Sequence, residues 1–235
     1  MMTINRSQLA AAAIAHGSYG GIGIAIYFGL SMLLTTTLFA IFLALLLAMI
    51  TYLYKERSDT LISVIWAVGM SIGIIFTDLS PGYHADLMSY LFGDILMVPN
   101  QDLWFMGGVD LLLIIMTGLL YRQFLAIFYD PEFAQLVGLR VRLLHTLSYI
   151  LIALTIVMSI RSVGLILVIA LFSIPPFIAE RFTRTMPGMM LLSSVLGLLF
   201  CMAGLFFSYW LDISATPAII LSAATLFFGV LLIKR

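Results

Sequence analysis

The sequence predicts an all-α fold, a polytopic bundle of about eight transmembrane helices with both termini in the cytoplasm. Apolar residues make up 63% of its 235 residues and charged residues only 9%, whereas soluble domains have roughly half and a quarter. Several apolar runs reach the length of about 20 residues that crosses a bilayer core. Runs such as 43–47 are apolar without alternation, unlike the strands of a transmembrane barrel.

The predicted spans lie within a single transmembrane domain, 1–235. The first two are joined by so few polar residues that we expect a tight helical hairpin. The stretch 82–102 is apolar only in its centre and predicts an interfacial or re-entrant segment on the outer side. In the inner loop 122–142, Asp130 and Pro131 predict the start of a short helix. The eight spans are predicted at 8–30, 32–54, 61–79, 103–121, 143–160, 162–179, 188–210 and 214–233.

The basic residues orient these spans. If the N-terminus is inside, the outer side holds Arg161 alone among the 11 Lys and Arg residues. Such a split is what the positive-inside rule requires, so both termini are predicted to be cytoplasmic. The inner residues are Arg6, Lys55, Arg57, Arg122, Arg140, Arg142, Arg181, Arg184, Lys234 and Arg235.

Composition and motifs also exclude several classes of function. The net charge is zero, which argues against a nucleic-acid partner because that would need a basic face. One cysteine, Cys201, allows neither an internal disulfide nor a zinc–thiolate cluster. The sequence has no G-x-x-x-x-G-K-[ST], H-E-x-x-H or G-x-S-x-G motif. We therefore expect a non-enzymatic protein; if ATP is used, another chain must bind it.

Two ionisable residues lie at predicted membrane depth. His16 is near the middle of the first span between small residues. Either it is hydrogen-bonded to a neighbouring helix, or it lines a path as a ligand or proton carrier. Asp110 lies about two helical turns inside the fourth span, where a carboxylate costs roughly 2–3 kcal/mol. Protonation or a polar partner could stabilise Asp110 within the membrane without any role in transport. Alternatively, Asp110 lies on a transport pathway.

Two further segments suggest contacts outside the bilayer. Asp94 is one of several acidic residues on the predicted outer side, which either form an acidic mouth that attracts a cation or are simply tolerated there. On the inner side, Pro175 and Pro176 are predicted to kink the end of the sixth span. The short charged piece that follows is either a helix presented to a cytoplasmic partner or an ordinary basic loop.

From Asp86 to the C-terminus, about two-thirds of the chain, the sequence resembles permeases of bacterial metal-ion ABC importers, the zinc, manganese and iron group. The order and spacing of several short stretches carry this resemblance. They are DLMSYLFGD at 86–94, FYDPEFA at 128–134, GLRV at 138–141, RSVGL at 161–165, IPPFIAER at 174–181, SYWLD at 208–212 and TPA at 216–218.

The first span is a looser match to that family. The family has an Asp followed four residues later by a His, one helical turn apart on one face. His16 matches the His, whereas Ala12 stands at the Asp position. Family members usually carry another span before this point, and we expect it to be missing from this chain.

The resemblance implies the permease of an importer with two permeases, as a homodimer, and two ATP-binding ABC subunits. An extracytoplasmic solute-binding protein would supply it, in the bacterial cytoplasmic (inner) membrane. Residues 179–185 would form the coupling helix in a groove of the ATPase. Within it, Glu180, Arg181 and Arg184 would transmit force.

The same resemblance implies that a divalent metal, Zn²⁺ or Mn²⁺, is the transported substrate, with no permanently bound cofactor. His16 would be the pathway ligand, because neutral imidazole suits such ions and a sparse site lets the ion leave. Asp110 and, at the outer mouth, Asp94 are further candidate ligands. Two alternatives stay open: an importer of a metal chelate, for which Ala12 would be no loss, and a proton-coupled carrier that uses Asp110 and His16 without an ATPase.

Overall fold

The structure, a computed structural model, describes residues 8–54, 58–80, 87–93 and 98–233, and within these ranges every regular element is an α-helix. Eight stretches of the described chain are long and apolar enough to cross a membrane, which confirms the predicted eight-span bundle. The helices are α1 Gln8–Gly17, α2 Tyr19–Phe28, α3 Met32–Leu53, α4 Ser58–Asp78, α5 Leu87–Phe92, α6 Asn100–Leu119, α7 Tyr121–Tyr129, α8 Pro131–Leu136, α9 Val141–Val163, α10 Leu165–Phe182, α11 Met186–Leu211 and α12 Ala215–Ile233.

The chain forms two compact units, and the first comprises residues 1–86 and 99–159. In it, α1 and α2 pack against α3 and α4. Small side chains of α3 are fully buried there, among them Ala40 and Ala44, and they let the helices approach closely. A second cluster joins α7, α8 and α9; its buried members are Phe124, Ile127, Ala134, Leu144 and Leu151.

The second unit comprises residues 87–98 and 160–235. Here α10, α11 and α12 pack on one another, and the short helix α5 packs on α10. The core of this unit consists of Leu167, Ile178, Phe200, Ile219 and Ala223.

The outward-facing surface of the helices is apolar, as lipid requires. On α3, Leu34, Leu38, Phe42, Leu45 and Met49 recur at intervals of three or four residues and are all exposed. This spacing places them on one helical face. An exposed apolar stripe of this length is unfavourable in water but suits the hydrocarbon core of a bilayer.

Two predicted local features are confirmed. The first two spans form a tight hairpin, in which Gly29 has φ 65° and ends α2; this left-handed conformation favours glycine. The side chain of Asp130 caps α8, because its Oδ1 accepts a hydrogen bond from the backbone N–H of Phe133 at 2.9 Å. Pro131 occupies the first turn of that helix.

Other expectations are corrected. The first span is not one helix, because a turn at Ser18 separates α1 from α2. The boundary predicted at Arg161 lies instead at Gly164, and Arg161 belongs to the last turn of α9. A cation there is favoured by the partial negative charge of the helix end. Of the segment 82–102, residues 87–92 form α5 and 100–102 begin α6, while 81–86 and 94–97 lie outside the described residues.

The separate coupling helix expected at 179–185 does not form. Residues 179–182 are instead the last turn of α10, which contains both Pro175 and Pro176, and α11 begins at Met186. The two prolines remove backbone donors from the preceding turn, but the residues after them favour helix and continue it. The charged segment is therefore a helix end followed by the extended residues Thr183 and Thr185.

Candidate functional site

His16 lies on the open side of α1. Ala12 and His16 are partly exposed, whereas 10–11, 13–15 and 17–19 are buried. Residues four apart share one face of a helix, so the open face of α1 presents these two side chains together. The arrangement suits a surface that lines a path through the protein.

The helix is interrupted directly after His16. The hydroxyl of Ser18 donates to the carbonyl oxygen of Ala15 at 2.8 Å, and the N–H of Gly21 reaches the carbonyl oxygen of Ser18 at 3.0 Å. The latter is the three-residue spacing of a tightened turn. Irregular backbone at membrane depth is tolerated where protein surrounds it or where it lines a cavity.

Glycines bring α4 against this turn. A Cβ atom on Gly69 would lie 2.7 Å from the Cα of Gly17, and one on Gly73 would lie 2.6 Å from the carbonyl oxygen of Tyr19. Larger side chains at Gly69 and Gly73 would therefore collide with the backbone of the first span. Gly69 and Gly73 form a small-xxx-small pattern, the usual device for close helix packing in membranes.

This close packing places Trp66 beside His16. The two rings are stacked, with centroids 4.5 Å apart and planes 25° from parallel. The Nδ1 atom of His16 is buried and has no hydrogen-bond partner among the described residues. The aromatic contact thus fixes the imidazole, and because Nδ1 is buried, Nε2 is the ring nitrogen that could meet an ion.

The sequence predicted His16 but missed Trp66 and its supporting glycines. The signal was present, since Gly69 and Gly73 are four residues apart and Trp66 precedes Gly69 by three. Which helix this face meets could not be read from one sequence, because the pairing is tertiary.

Of the other two predicted ligands, the structure describes only Asp110. The side chain of Asp110 is exposed on α6, and no hydrogen bond or ion pair joins Asp110 to His16. Asp94 lies outside the described residues. Across the part of the chain that the structure describes, no group of three or more His, Cys, Asp or Glu residues could hold a metal ion.

The predicted coupling residues are together at the end of α10. Glu180 and Arg184 are exposed, and Arg181 is half-buried. The guanidinium carbon of Arg181 lies 4.8 Å from the ring centroid of Phe177, and this ring packs on Phe227 of α12 at 5.0 Å. Arg181 is therefore attached to the helical core, while Glu180 and Arg184 present free charged surface.

Three of the family-like stretches meet where α5 packs. A Cβ atom on Gly93 would lie 2.6 Å from the carbonyl carbon of Val163, and the hydroxyl of Thr216 donates to the carbonyl oxygen of Phe92 at 2.7 Å. Gly164, at the start of α10, has φ 78°, a conformation that favours glycine. Residues 92–93 of the first stretch, 161–165 and 216–218 thus share a structural role that their spacing alone did not reveal.

Eight apolar spans, a broken first span with an ionisable side chain on its open face and a charged helix end define a multi-pass membrane transport protein. The comparisons with known proteins agree. A model of the ABC 3 transport family matches residues 1–234, so the chain belongs to that family. The resemblance noted in the sequence is confirmed at this level.

Relatives match over nearly the whole chain. An uncharacterized membrane protein of Synechocystis sp. is 46% identical over 234 residues, covering 100% of this chain and 83% of its own length. The manganese import system permease protein ScaB of Streptococcus parasanguinis is 33% identical over 215 residues, covering 92% and 76%. The solved structure of PsaBC from Streptococcus pneumoniae in complex with Fab superposes with a TM-score of 0.82 at 28% identity, covering 97% of this chain and 82% of that chain.

Proposed function

We propose that this chain is the permease subunit of an ABC importer that moves a divalent metal ion, Zn²⁺ or Mn²⁺, into the cell. The observation that carries the proposal is the family match over residues 1–234, together with a relative named as a manganese import permease. Residues 1–235 serve as one transmembrane domain in the bacterial inner membrane. ATP is hydrolysed by a separate subunit.

In this proposal His16 is the ligand that the ion meets inside the membrane. Its place on the open face of α1 and its stacking on Trp66 support that role. The burial of Nδ1 leaves Nε2 as the nitrogen that would bind the ion. Neutral imidazole binds Zn²⁺ well, and Mn²⁺ prefers additional oxygen ligands. A site with one side-chain ligand binds weakly enough to release the ion.

Asp110 and Asp94 are proposed as further transient ligands of the ion along its path. Asp110 projects from α6 without an ion pair or hydrogen bond to another described side chain. A carboxylate within the membrane is energetically costly, and such residues usually have a function. Asp94 is assigned to the outer mouth. Each would offer the ion an oxygen donor at its own position along the path.

The partners are an ATP-binding ABC subunit, an extracytoplasmic solute-binding protein and a second copy of this permease. The ATPase docks on Glu180, Arg181 and Arg184. The stacking of Arg181 on Phe177 and of Phe177 on Phe227 supports this role, because displacement at the charged surface reaches α12 through rigid aromatic contacts. Membership of the ABC 3 transport family favours this importer over the proton-coupled carrier.

The test is metal uptake by the complete importer in liposomes, with His16→Ala compared with wild type. We expect uptake of Zn²⁺ and Mn²⁺ to be lost, while assembly with the ATPase and basal ATP hydrolysis are retained. His145→Ala is the matched control, because it removes a histidine of α9 outside the first span and should leave uptake intact. Unchanged uptake by His16→Ala would contradict the ligand assignment.

A further inference from the structure

A groove in the first unit lies outside the proposed transport site. It has a volume of about 650 Å³ and runs between the end of α3, at Tyr52, and the beginning of α9. Arg140 and Arg142 lie at one end with Gln135 of α8. None of these three side chains is engaged by another described residue in a hydrogen bond or ion pair.

The remaining wall of the groove is apolar. Leu143, Leu147 and Ile150 line it, and their spacing of four and three residues places them along one face of α9. From Val141 to Ile150 this face extends about 14 Å. The groove therefore joins a cationic head region to an apolar channel along the helix.

The cationic end has the chemistry of a phosphate site. Arginine presents a planar fork of donors that binds phosphate oxygens in pairs. The start of α9 adds a partial positive charge from its unpaired N–H groups. Asp130 and Glu132, the acidic residues nearest in sequence, do not line the groove, and no acidic side chain is among the described residues that do.

We infer that this groove binds an anionic phospholipid, with the headgroup phosphate on Arg140 and Arg142 and an acyl chain along Leu143, Leu147 and Ile150. Free phosphate would leave the apolar wall unused, and an uncharged lipid would leave two arginines unpaired. The positive-inside rule places the groove at the cytoplasmic leaflet, where anionic lipids attract basic side chains.

The inference is tested by native mass spectrometry on the detergent-purified complex of the permease with its ATPase. Phosphatidylglycerol, phosphatidylcholine with the same acyl chains and inorganic phosphate are titrated separately. We expect phosphatidylglycerol to bind most tightly, and Arg140→Gln and Arg142→Gln each to weaken it about fivefold. Arg140→Lys should retain part of the binding, because it keeps the charge but not the paired donors. Arg122→Gln, an exposed arginine of α7 outside the groove, is the control and should bind like wild type.

Three results would overturn the inference. If Arg122→Gln weakened the binding of phosphatidylglycerol equally, the lipid would be held by general electrostatic attraction to the inner face and not by the groove. Inorganic phosphate that binds as tightly as phosphatidylglycerol would identify a free-anion site. Loss of the ATPase from Arg140→Gln and Arg142→Gln with unchanged lipid binding would assign the surface to that subunit. Because none of these readouts involves metal uptake, the inference and the proposed function can fail separately.

Discussion

At the residue scale, Ala12 is the difference from the metal-ion permeases that has the clearest consequence. It lies four residues before His16 on the open face of α1, where the metal-ion permeases that the sequence resembles have a carboxylate. A lone imidazole favours Zn²⁺ over Mn²⁺, since Mn²⁺ prefers oxygen ligands. The identity of residue 12 should therefore tune which ion this path transports.

We predict that Ala12→Asp increases the apparent affinity of uptake for Mn²⁺ about tenfold, corresponding to about 1.4 kcal/mol, and changes Zn²⁺ uptake less. The added carboxylate supplies an oxygen ligand beside the imidazole. The measurement is competitive uptake of the two ions by the reconstituted importer. Ala12→Asn is the control, because it has the same shape without the charge. An equal effect of Ala12→Asn would show that size rather than ligand chemistry matters.

The sequence alone could predict His16 as a candidate, because an ionisable residue among small apolar ones at membrane depth is costly. It could not predict Trp66 as its partner. The two residues are fifty positions apart, and their contact depends on how α1 and α4 pair. Trp104 and Trp210, by contrast, are highly exposed near helix ends, the usual location of interfacial tryptophans.

At the element scale, the contact of the first span with α4 holds the candidate site together. We predict that Gly69→Ala lowers the melting temperature of the permease and reduces metal uptake. The new methyl group would lie 2.7 Å from the Cα of Gly17, and overpacking of this kind costs about 1–3 kcal/mol. Separation of the helices would also move Trp66 away from His16.

Gly118→Ala is the matched control for this substitution. Gly118 is also inside a helix, α6, but a Cβ atom there has nothing within 4 Å. The change should leave uptake intact, and alanine is the better helix former. Thermal unfolding monitored by a thiol-independent dye, together with uptake, compares the two variants. Equal stability of both would contradict the close packing at Gly69.

The number of membrane-spanning helices could be predicted from the sequence, but the positions where helices break or end could not. Long apolar runs gave all eight spans, because hydrophobic length alone determines whether a helix can cross the bilayer. The break at Ser18 was missed although Gly17, Gly20 and Gly21 around it weaken a helix, because glycine is common within membrane-spanning helices. The predicted sixth span, 162–179, already contained Pro175 and Pro176. What was missed is that α10 continues to Phe182, because the prolines remove hydrogen bonds without ending the helix.

At the scale of the whole molecule, the orientation remains a prediction from the distribution of charge. It places the end of α10, with Arg181 and Arg184, on the side of the ATPase. In that orientation the exposed Glu180 and Arg184 would be accessible to a cytoplasmic partner.

We predict that Arg181→Glu combined with Arg184→Glu reduces co-purification of the ATPase about tenfold or more, because opposite charges would face a surface complementary to arginine. The measurement is the ratio of ATPase to permease after affinity purification in detergent. Arg122→Glu reverses one exposed charge on the same predicted side and should leave the ratio unchanged. Full recovery of the ATPase with the double variant would contradict the coupling role.

The contact between Gly93 and the α9–α10 junction has a mechanical consequence. Gly164 precedes α10, and Arg181 lies near the other end of this helix, about 26 Å away along its axis. At the Gly164 end the backbones touch with no side chain between them, so no rotamer change can absorb a shift. If the ATPase tilts α10 as proposed, the motion would be passed directly to α5 through this backbone contact.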